Sequence, residues 1–181
     1  MRERRNIRER KTVIFSSSLT RSINKRNLSR ECTKGEIVFE EFKGKRASDI
    51  VHYMDHHLMA EQPHSVMFIC GGNDIPYSEV SPERIKSMAN RLIDAGIRCK
   101  NNFGVTEVFI SSILPRSNNE FQTNRFHLNN LLRELCLRNN FTFMENKGIS
   151  VKSHLLPDGV HLNKRGTDVL CTNILDYIND K

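Results

Sequence analysis

The sequence lacks several features that mark large functional classes. No apolar run approaches the ~20 residues that a membrane-spanning helix needs, and the charged opening segment MRERRNIRERK has no apolar stretch typical of a secretory signal. No Gly-x-Gly-x-x-Gly segment or phosphate-binding loop is present, so we expect no nucleotide cofactor. The chain also has no internal repeat, low-complexity block or linker rich in proline and glycine. Its 181 residues fit one domain.

Cysteine is present without paired spacing. The five cysteines are an odd number and none lies in a Cys-x-x-Cys segment, which is typical of reduced thiols in an intracellular protein, cytoplasmic or nuclear. The same pattern argues against a structural zinc site. His52 and His56 are four residues apart in a helix-like segment, with His57 adjacent, but no third ligand follows at a suitable spacing. We interpret them as a polar helix face and expect no metal or other cofactor.

The net charge of +7 is concentrated near one end of the chain. Residues 1–30 hold ten Lys and Arg against two Glu, a net of +8, whereas residues 31–181 hold 18 basic and 19 acidic residues. We interpret residues 1–11 as a basic arm and residues 12–181 as the folded domain. Such an arm either attracts the phosphate backbone of a nucleic acid without reading its sequence or serves only as a solubilising tail. The sequence does not indicate the oligomeric state.

Short apolar runs alternate with amphipathic segments. The runs are rich in Val, Ile and Phe, as strands buried on both faces of a parallel sheet should be, and lie at 11–15, 36–42, 65–70, 106–113 and 141–145. Helical spacing of apolar residues is seen at 48–60, 81–97, 121–138 and 166–178. We expect the second helix to end near Gly96 and the third to place Phe126 on its apolar face. The alternation predicts an α/β fold, a three-layer α/β/α sandwich around a doubly wound, flavodoxin-like sheet of five parallel strands.

The loops after the predicted strands carry polar residues, and in a doubly wound sheet these loops meet at the carboxyl edge. Residues 16–18, three serines, follow the first strand, Gly44 follows the second and Asn73 the third. Arg116 follows the fourth strand. We interpret Arg116 as a solvated side chain rather than a contact for an acidic substrate group. The segment 158–161, Asp-Gly-Val-His, lies between the fifth strand and the last helix.

This set of side chains fits hydrolysis by an activated serine. That reaction needs a hydroxyl that attacks, a histidine that takes its proton, a carboxylate that orients the histidine, and donors for the oxyanion. Asp158 and His161, three residues apart in a turn, can place a carboxylate against the imidazole. A serine at the start of a helix offers both its hydroxyl and its backbone N–H. The Asn73 amide and the Gly44 N–H are further candidate donors.

The order of these loops resembles the SGNH (GDSL-type) hydrolase superfamily from about residue 11 to residue 178. The third block of that family, Gly-x-Asn-Asp, is matched by residues 71–74, and its fifth block, Asp-x-x-His, by residues 158–161. The glycine of the second block falls on Gly44, and the first block, Gly-Asp-Ser-Leu, falls on residues 16–19. The segments VFISSILPR, LNNLLRELC and DGVHLNKRGTDVL also resemble the SGNH-type domains that animal transposable elements carry.

The resemblance implies a role for each matched residue. Ser18 would be the nucleophile, His161 the general base and Asp158 the residue that orients the histidine. The Ser18 N–H, the Gly44 N–H and the Asn73 side chain would form the oxyanion hole. Members of the family are typically metal-free esterases, lipases, thioesterases or carbohydrate deacetylases. The expected substrate is therefore a small ester or acetylated compound.

The first block departs from the family pattern. Ser16 and Ser17 stand where the family has glycine, which tolerates positive φ and close backbone approach, and aspartate, which helps to hold the nucleophile turn. Two functions follow from this. One is a serine hydrolase acting on esters or acetyl groups. The other is a catalytically weak or inactive SGNH-like module that binds RNA, DNA or a protein partner, using the basic arm.

Overall fold

The computed structural model describes residues 10–180 and contains one sheet of five parallel strands. Its strands, in chain order, are β1 (Lys11–Ser16), β2 (Glu36–Glu41), β3 (Ser65–Ile69), β4 (Glu107–Ser111) and β5 (Thr142–Met144). They lie side by side in the order β2-β1-β3-β4-β5, and every neighbouring pair is parallel. This is the predicted doubly wound order. Strand β2 lies on one side of β1, and β3, β4 and β5 follow one another on the other side. The predicted α/β fold is therefore confirmed.

Helices cover both faces of this sheet. They are α1 (Lys25–Glu31), α2 (Ala47–Glu61), α3 (Pro82–Phe103), α4 (Asn119–Arg138), α5 (Val151–His154) and α6 (Lys164–Asn179), with a short 3-10 helix at Ser18–Thr20. Val13 and Phe15 point to a core shared with α2, α3 and α4, whereas Ile14 between them packs with α1 and α6. Alternate residues of each buried strand therefore belong to different cores, which makes the three layers.

Two details of the helices were predicted wrongly. Helix α3 does not end near Gly96 but continues to Phe103, and its C-cap is Gly104 in the left-handed region. Gly96 allows the helix to approach the sheet, because a Cβ there would lie 2.6 Å from Cε2 of Phe141. Phe126 is not on the buried face of α4 but is 61% exposed, and Phe121 is fully buried instead.

The basic arm lies almost entirely outside the described residues, which begin at position 10. Lys11, its last residue, is also the first residue of β1, and its ammonium group donates to Glu61 at 2.7 Å. Among residues 10–180, no helix has the length and apolar character needed to cross a membrane.

Candidate active site

The three serines after β1 have three different environments. Ser16 is fully buried, and its hydroxyl lies 2.5 Å from that of Thr20. Because Thr20 donates its own proton to Glu41 at 2.7 Å, Ser16 must be the donor in the first bond. Ser17 is buried as well and makes no side-chain capping bond. Only Ser18, the first residue of the 3-10 helix, is partly exposed and carries its hydroxyl towards a histidine.

The backbone at this turn does not require the glycine of the family motif. Ser16 belongs to β1, and Ser17 has a φ of −82°, which any residue adopts. The Ser16–Thr20 bond connects the end of β1 to the 3-10 helix, and Glu41, paired with Lys25, extends that connection to β2. The hydrogen bonds among Ser16, Thr20 and Glu41 therefore brace this turn, a role that the aspartate of the motif is expected to have in the family.

The hydroxyl of Ser18 reaches the histidine expected from the sequence. Its Oγ lies 3.2 Å from Nε2 of His161, and Nδ1 of the same ring lies 2.8 Å from Oδ2 of Asp158. A carboxylate accepts only, so Nδ1 carries the ring proton and Nε2 is left to accept the proton of Ser18. The structure thus brings together the three residues in the order that serine-type acyl transfer requires.

Asp158 is held as a carboxylate by its own turn. Its Oδ1 accepts the backbone N–H groups of Val160 and His161, both at 2.9 Å, while Oδ2 faces the imidazole. The backbone bond from His161, the bond from its ring and the backbone bond from Val160 together hold the pKa of Asp158 well below its usual range. The carboxylate is consequently charged at every pH where the protein is expected to work.

The turn that carries this pair is fixed to the loop after β4. Ser117 donates its backbone N–H to the Gly159 carbonyl at 2.9 Å, and Leu156 donates to the His161 carbonyl at 2.7 Å. Gly159 has a φ of +67°, and a Cβ built on it would lie 2.0 Å from the Ser117 hydroxyl oxygen. The glycine is therefore required both by the left-handed backbone and by the close approach of the two loops.

The candidate oxyanion donors come from three loops. Ser18 opens its helix, where the first N–H groups have no intrahelical acceptor. The exposed Gly44 N–H donates to no acceptor within residues 10–180. Asn73 donates from Nδ2 to the Lys45 carbonyl at 3.0 Å, which places its amide beside the loop that carries Gly44.

Asp74, next to Asn73, acts as a brace for these loops. Its side chain is 5% exposed, accepts the N–H of Ala47 at 2.8 Å and pairs with Arg91 at 3.0 Å. Burial raises the pKa of Asp74 more than these donors lower it. Since both oxygens are occupied within the fold, the contacts of Asp74 are structural.

Arg116 is not the solvated side chain expected from the sequence. It is 9% exposed and donates to Oδ1 of Asn73 at 2.7 Å and to the Tyr77 hydroxyl at 3.1 Å. The contact between Arg116 and Asn73 could not be predicted from the sequence, because it depends on how the loop after β4 packs against the loop after β3. The only available signal was the apolar character of Ile113, Leu114 and Pro115, which keeps the whole segment buried.

Other candidate groups are occupied elsewhere. His57 pairs with Glu40 at 3.0 Å, and within residues 10–180 no group of three or more His, Cys, Asp or Glu side chains is arranged to hold a metal. Cys70 directly precedes Gly71, but it is 4% exposed and burial raises the pKa of its thiol. A buried protonated thiol is not a nucleophile.

The chain is similar to known proteins in structure but not in sequence. No protein-family model and no curated protein matches the sequence. A lipase/acylhydrolase from Enterococcus faecalis matches the structure with a TM-score of 0.78 at 18% identity, covering 94% of this chain and 96% of that one. The chain has the fold of the GDSL-type acylhydrolases.

Further solved structures have the same architecture. A GDSL-like lipase from Bacteroides thetaiotaomicron gives a TM-score of 0.75 at 17% identity, covering 95% of this chain and 89% of that one. A catalytic mutant of an acetylxylan esterase from Geobacillus stearothermophilus gives 0.75 at 13% identity, covering 93% and 94%. The predicted SGNH hydrolase fold is confirmed, and the link to transposable elements stays a prediction.

Proposed function

We propose that the protein is a serine hydrolase that cleaves carboxylic esters or acetyl groups. The observation that carries the proposal is the continuous path from Ser18 Oγ to His161 Nε2 at 3.2 Å and from His161 Nδ1 to Asp158 at 2.8 Å. The shared fold with lipases and an acetylxylan esterase supports it. The hydrogen bonds from Ser16 to Thr20 and from Thr20 to Glu41 brace the turn before Ser18, which favours an active enzyme over an inactive module.

The proposed mechanism has two displacements. Ser18 Oγ attacks the acyl carbon while Nε2 of His161 takes its proton, and Asp158 stabilises the resulting imidazolium. The negative charge that develops on the acyl oxygen is met by the N–H groups of Ser18 and Gly44 and by the Asn73 amide. His161 then returns the proton to the leaving alcohol. Water attacks the acyl-enzyme by the same route and releases the acid and free Ser18.

Turnover of a short-chain aryl ester tests this proposal. We expect Ser18→Ala and His161→Ala to lower kcat/KM by about 10³-fold or more, because each removes a reacting group. Ser17→Ala is the matched control, since the neighbouring hydroxyl makes no capping bond, and it should retain activity close to wild type. Equal rates for wild type and Ser18→Ala would refute the hydrolase.

The charge of the first 30 residues favours a second function, nucleic-acid binding by the arm. Its net of +8 contrasts with the nearly neutral remainder of the chain. Binding of this type weakens steeply with salt because it releases counterions from the phosphates. Deletion of residues 1–9, which leaves β1 and the bond between Lys11 and Glu61 in place, should weaken binding of a nonspecific oligonucleotide while leaving ester hydrolysis unchanged. Unchanged affinity after the deletion would refute a role for the arm.

A further inference from the structure

Arg116 is a buried cation that has no acidic partner in the part of the chain that the structure describes. Its guanidinium group lies 4.8 Å from the centre of the Phe121 ring and donates to the Tyr77 hydroxyl. No carboxylate within residues 10–180 forms an ion pair with it. Burying an uncompensated charge is costly, and a planar cation over an aromatic ring recovers only part of that cost. The position of Arg116 therefore calls for a reason other than stability.

The contacts of Asn73 supply that reason. Arginine can only donate, so the Asn73 atom that Arg116 Nη2 meets at 2.7 Å must be the amide oxygen. The Lys45 carbonyl can only accept, so the atom 3.0 Å from it must be the amide nitrogen. The two neighbours thus fix one orientation of the amide. One of its two N–H groups donates to the Lys45 carbonyl, and the other, which meets no acceptor among residues 10–180, can donate to a ligand.

We propose that Arg116 is a positioning residue for the oxyanion hole and acts through the Asn73 amide. The inference rests on the proposed hydrolase. A charge-assisted bond to the amide oxygen holds the side chain in one rotamer and draws electron density from the nitrogen, which makes the remaining N–H a stronger donor.

The loop that carries Arg116 extends this role to the opposite side of the site. The next residue, Ser117, donates its N–H to the Gly159 carbonyl in the turn of Asp158 and His161. Consecutive residues of one loop therefore contact the oxyanion side and the acid-base side. The loop after β4 therefore connects the two sides of the candidate site.

Arg116→Met is the direct test, and Arg125→Met is its matched control. Arg125 is also partly buried and lies in α4, but it donates to Ile113 and Gln122 and does not contact Asn73. Loss of an entire oxyanion donor costs about 10²–10³ in kcat, so misplacing one should cost roughly 10- to 100-fold. We expect Arg116→Met to lower kcat by that amount with KM little changed, and Arg125→Met to leave both near wild type.

A double-mutant cycle separates positioning from a general structural effect. In an Asn73→Ala background, Arg116→Met should lower kcat by less than about twofold, because the group through which it acts is gone. A loss that persists in full in this background would overturn the proposal. A rise in KM confined to an ester that carries a carboxylate would also overturn it, since Arg116 would then bind substrate directly. Arg116→Lys, which keeps the charge and an N–H donor, should recover part of the lost kcat.

A nuclear magnetic resonance measurement tests the positioning without turnover. The two Nδ2 proton signals of Asn73 are identified by their absence in Asn73→Ala. We expect them to shift in Arg116→Met and to stay unchanged in Arg125→Met. Unchanged signals in Arg116→Met would overturn the positioning role even in an active enzyme. If wild type hydrolyses no ester, the hydrolase fails, and a shift in these signals would still show that Arg116 holds the amide.

Discussion

The hydroxyl groups of Ser16 and Thr20 are 2.5 Å apart and fully buried at the end of β1. This bond spans the turn from which Ser18 projects. The Thr20 hydroxyl in turn donates a hydrogen bond to Glu41, the last residue of the neighbouring strand β2. The position that carries glycine in the GDSL motif is therefore occupied by a residue that helps to hold the turn of the proposed nucleophile, Ser18.

Thr20→Val should destabilise the protein while keeping the shape of the side chain. The change leaves the buried Ser16 hydroxyl without a partner and removes one of the bonds to Glu41, which keeps Lys25. An unsatisfied buried polar group costs about 1–3 kcal/mol. Urea unfolding monitored by circular dichroism measures the loss. Thr20→Ser keeps the hydroxyl and should lose less. Equal stability of Thr20→Val and wild type would show that the network does not brace the turn.

Gly159→Ala should impair both folding stability and ester hydrolysis. The added methyl group would collide with Ser117 and displace the turn that holds Asp158 against His161. Gly104→Ala is the control, because Gly104 has the same φ of +67° but open space around a Cβ. Left-handed backbone alone costs about 1–2 kcal/mol, so the control should show only that loss and keep its activity. If Gly159→Ala and Gly104→Ala had similar unfolding midpoints and similar rates of ester hydrolysis, the close contact between Gly159 and Ser117 would be contradicted.

The carboxylate of Asp158 should remain ionised in acid. Its pKa is lowered in the folded state, so the bonds to Asp158 stabilise the fold above the unfolded pKa, and that contribution is lost as the pH falls through the lower, folded value. The carboxyl carbon signal of Asp158 should show no titration between pH 7 and pH 4. Asp158→Asn identifies the signal by its absence. A titration midpoint near 4, the ordinary value for aspartate, would contradict the hydrogen bonds described for this turn.

Much of the fold could be predicted because the strands are buried on both faces. That burial requires continuous apolar runs, and all five were recognisable beside amphipathic helices. Helix α1 was missed because it has seven residues and buries only Leu28, too little to form a periodic pattern. Gly96 was misread because a glycine in a helix can mark an end or a close approach, and only the position of Phe141 decides between them.

The part of the candidate site that lies within one short segment of the chain could be predicted from the sequence. The spacing of Asp158 and His161 in one turn indicates their contact, and the structure places them 2.8 Å apart. The position of Arg116 could not be predicted, because its burial depends on Tyr77 and Phe121 from two other segments. The function of Ser16 was equally hidden, since its partner Thr20 is apparent only once the 3-10 helix is formed.

Labelling with a fluorophosphonate, located by mass spectrometry, tests the central claim most directly. The reagent forms a covalent bond with a serine only when a base activates the hydroxyl and the oxyanion site accepts the phosphoryl oxygen. Wild type and Ser17→Ala should each carry one label on Ser18, His161→Ala should react far more slowly, and Ser18→Ala should not react. An unlabelled wild type, or a label on Ser18→Ala equal to that on wild type, would contradict the account.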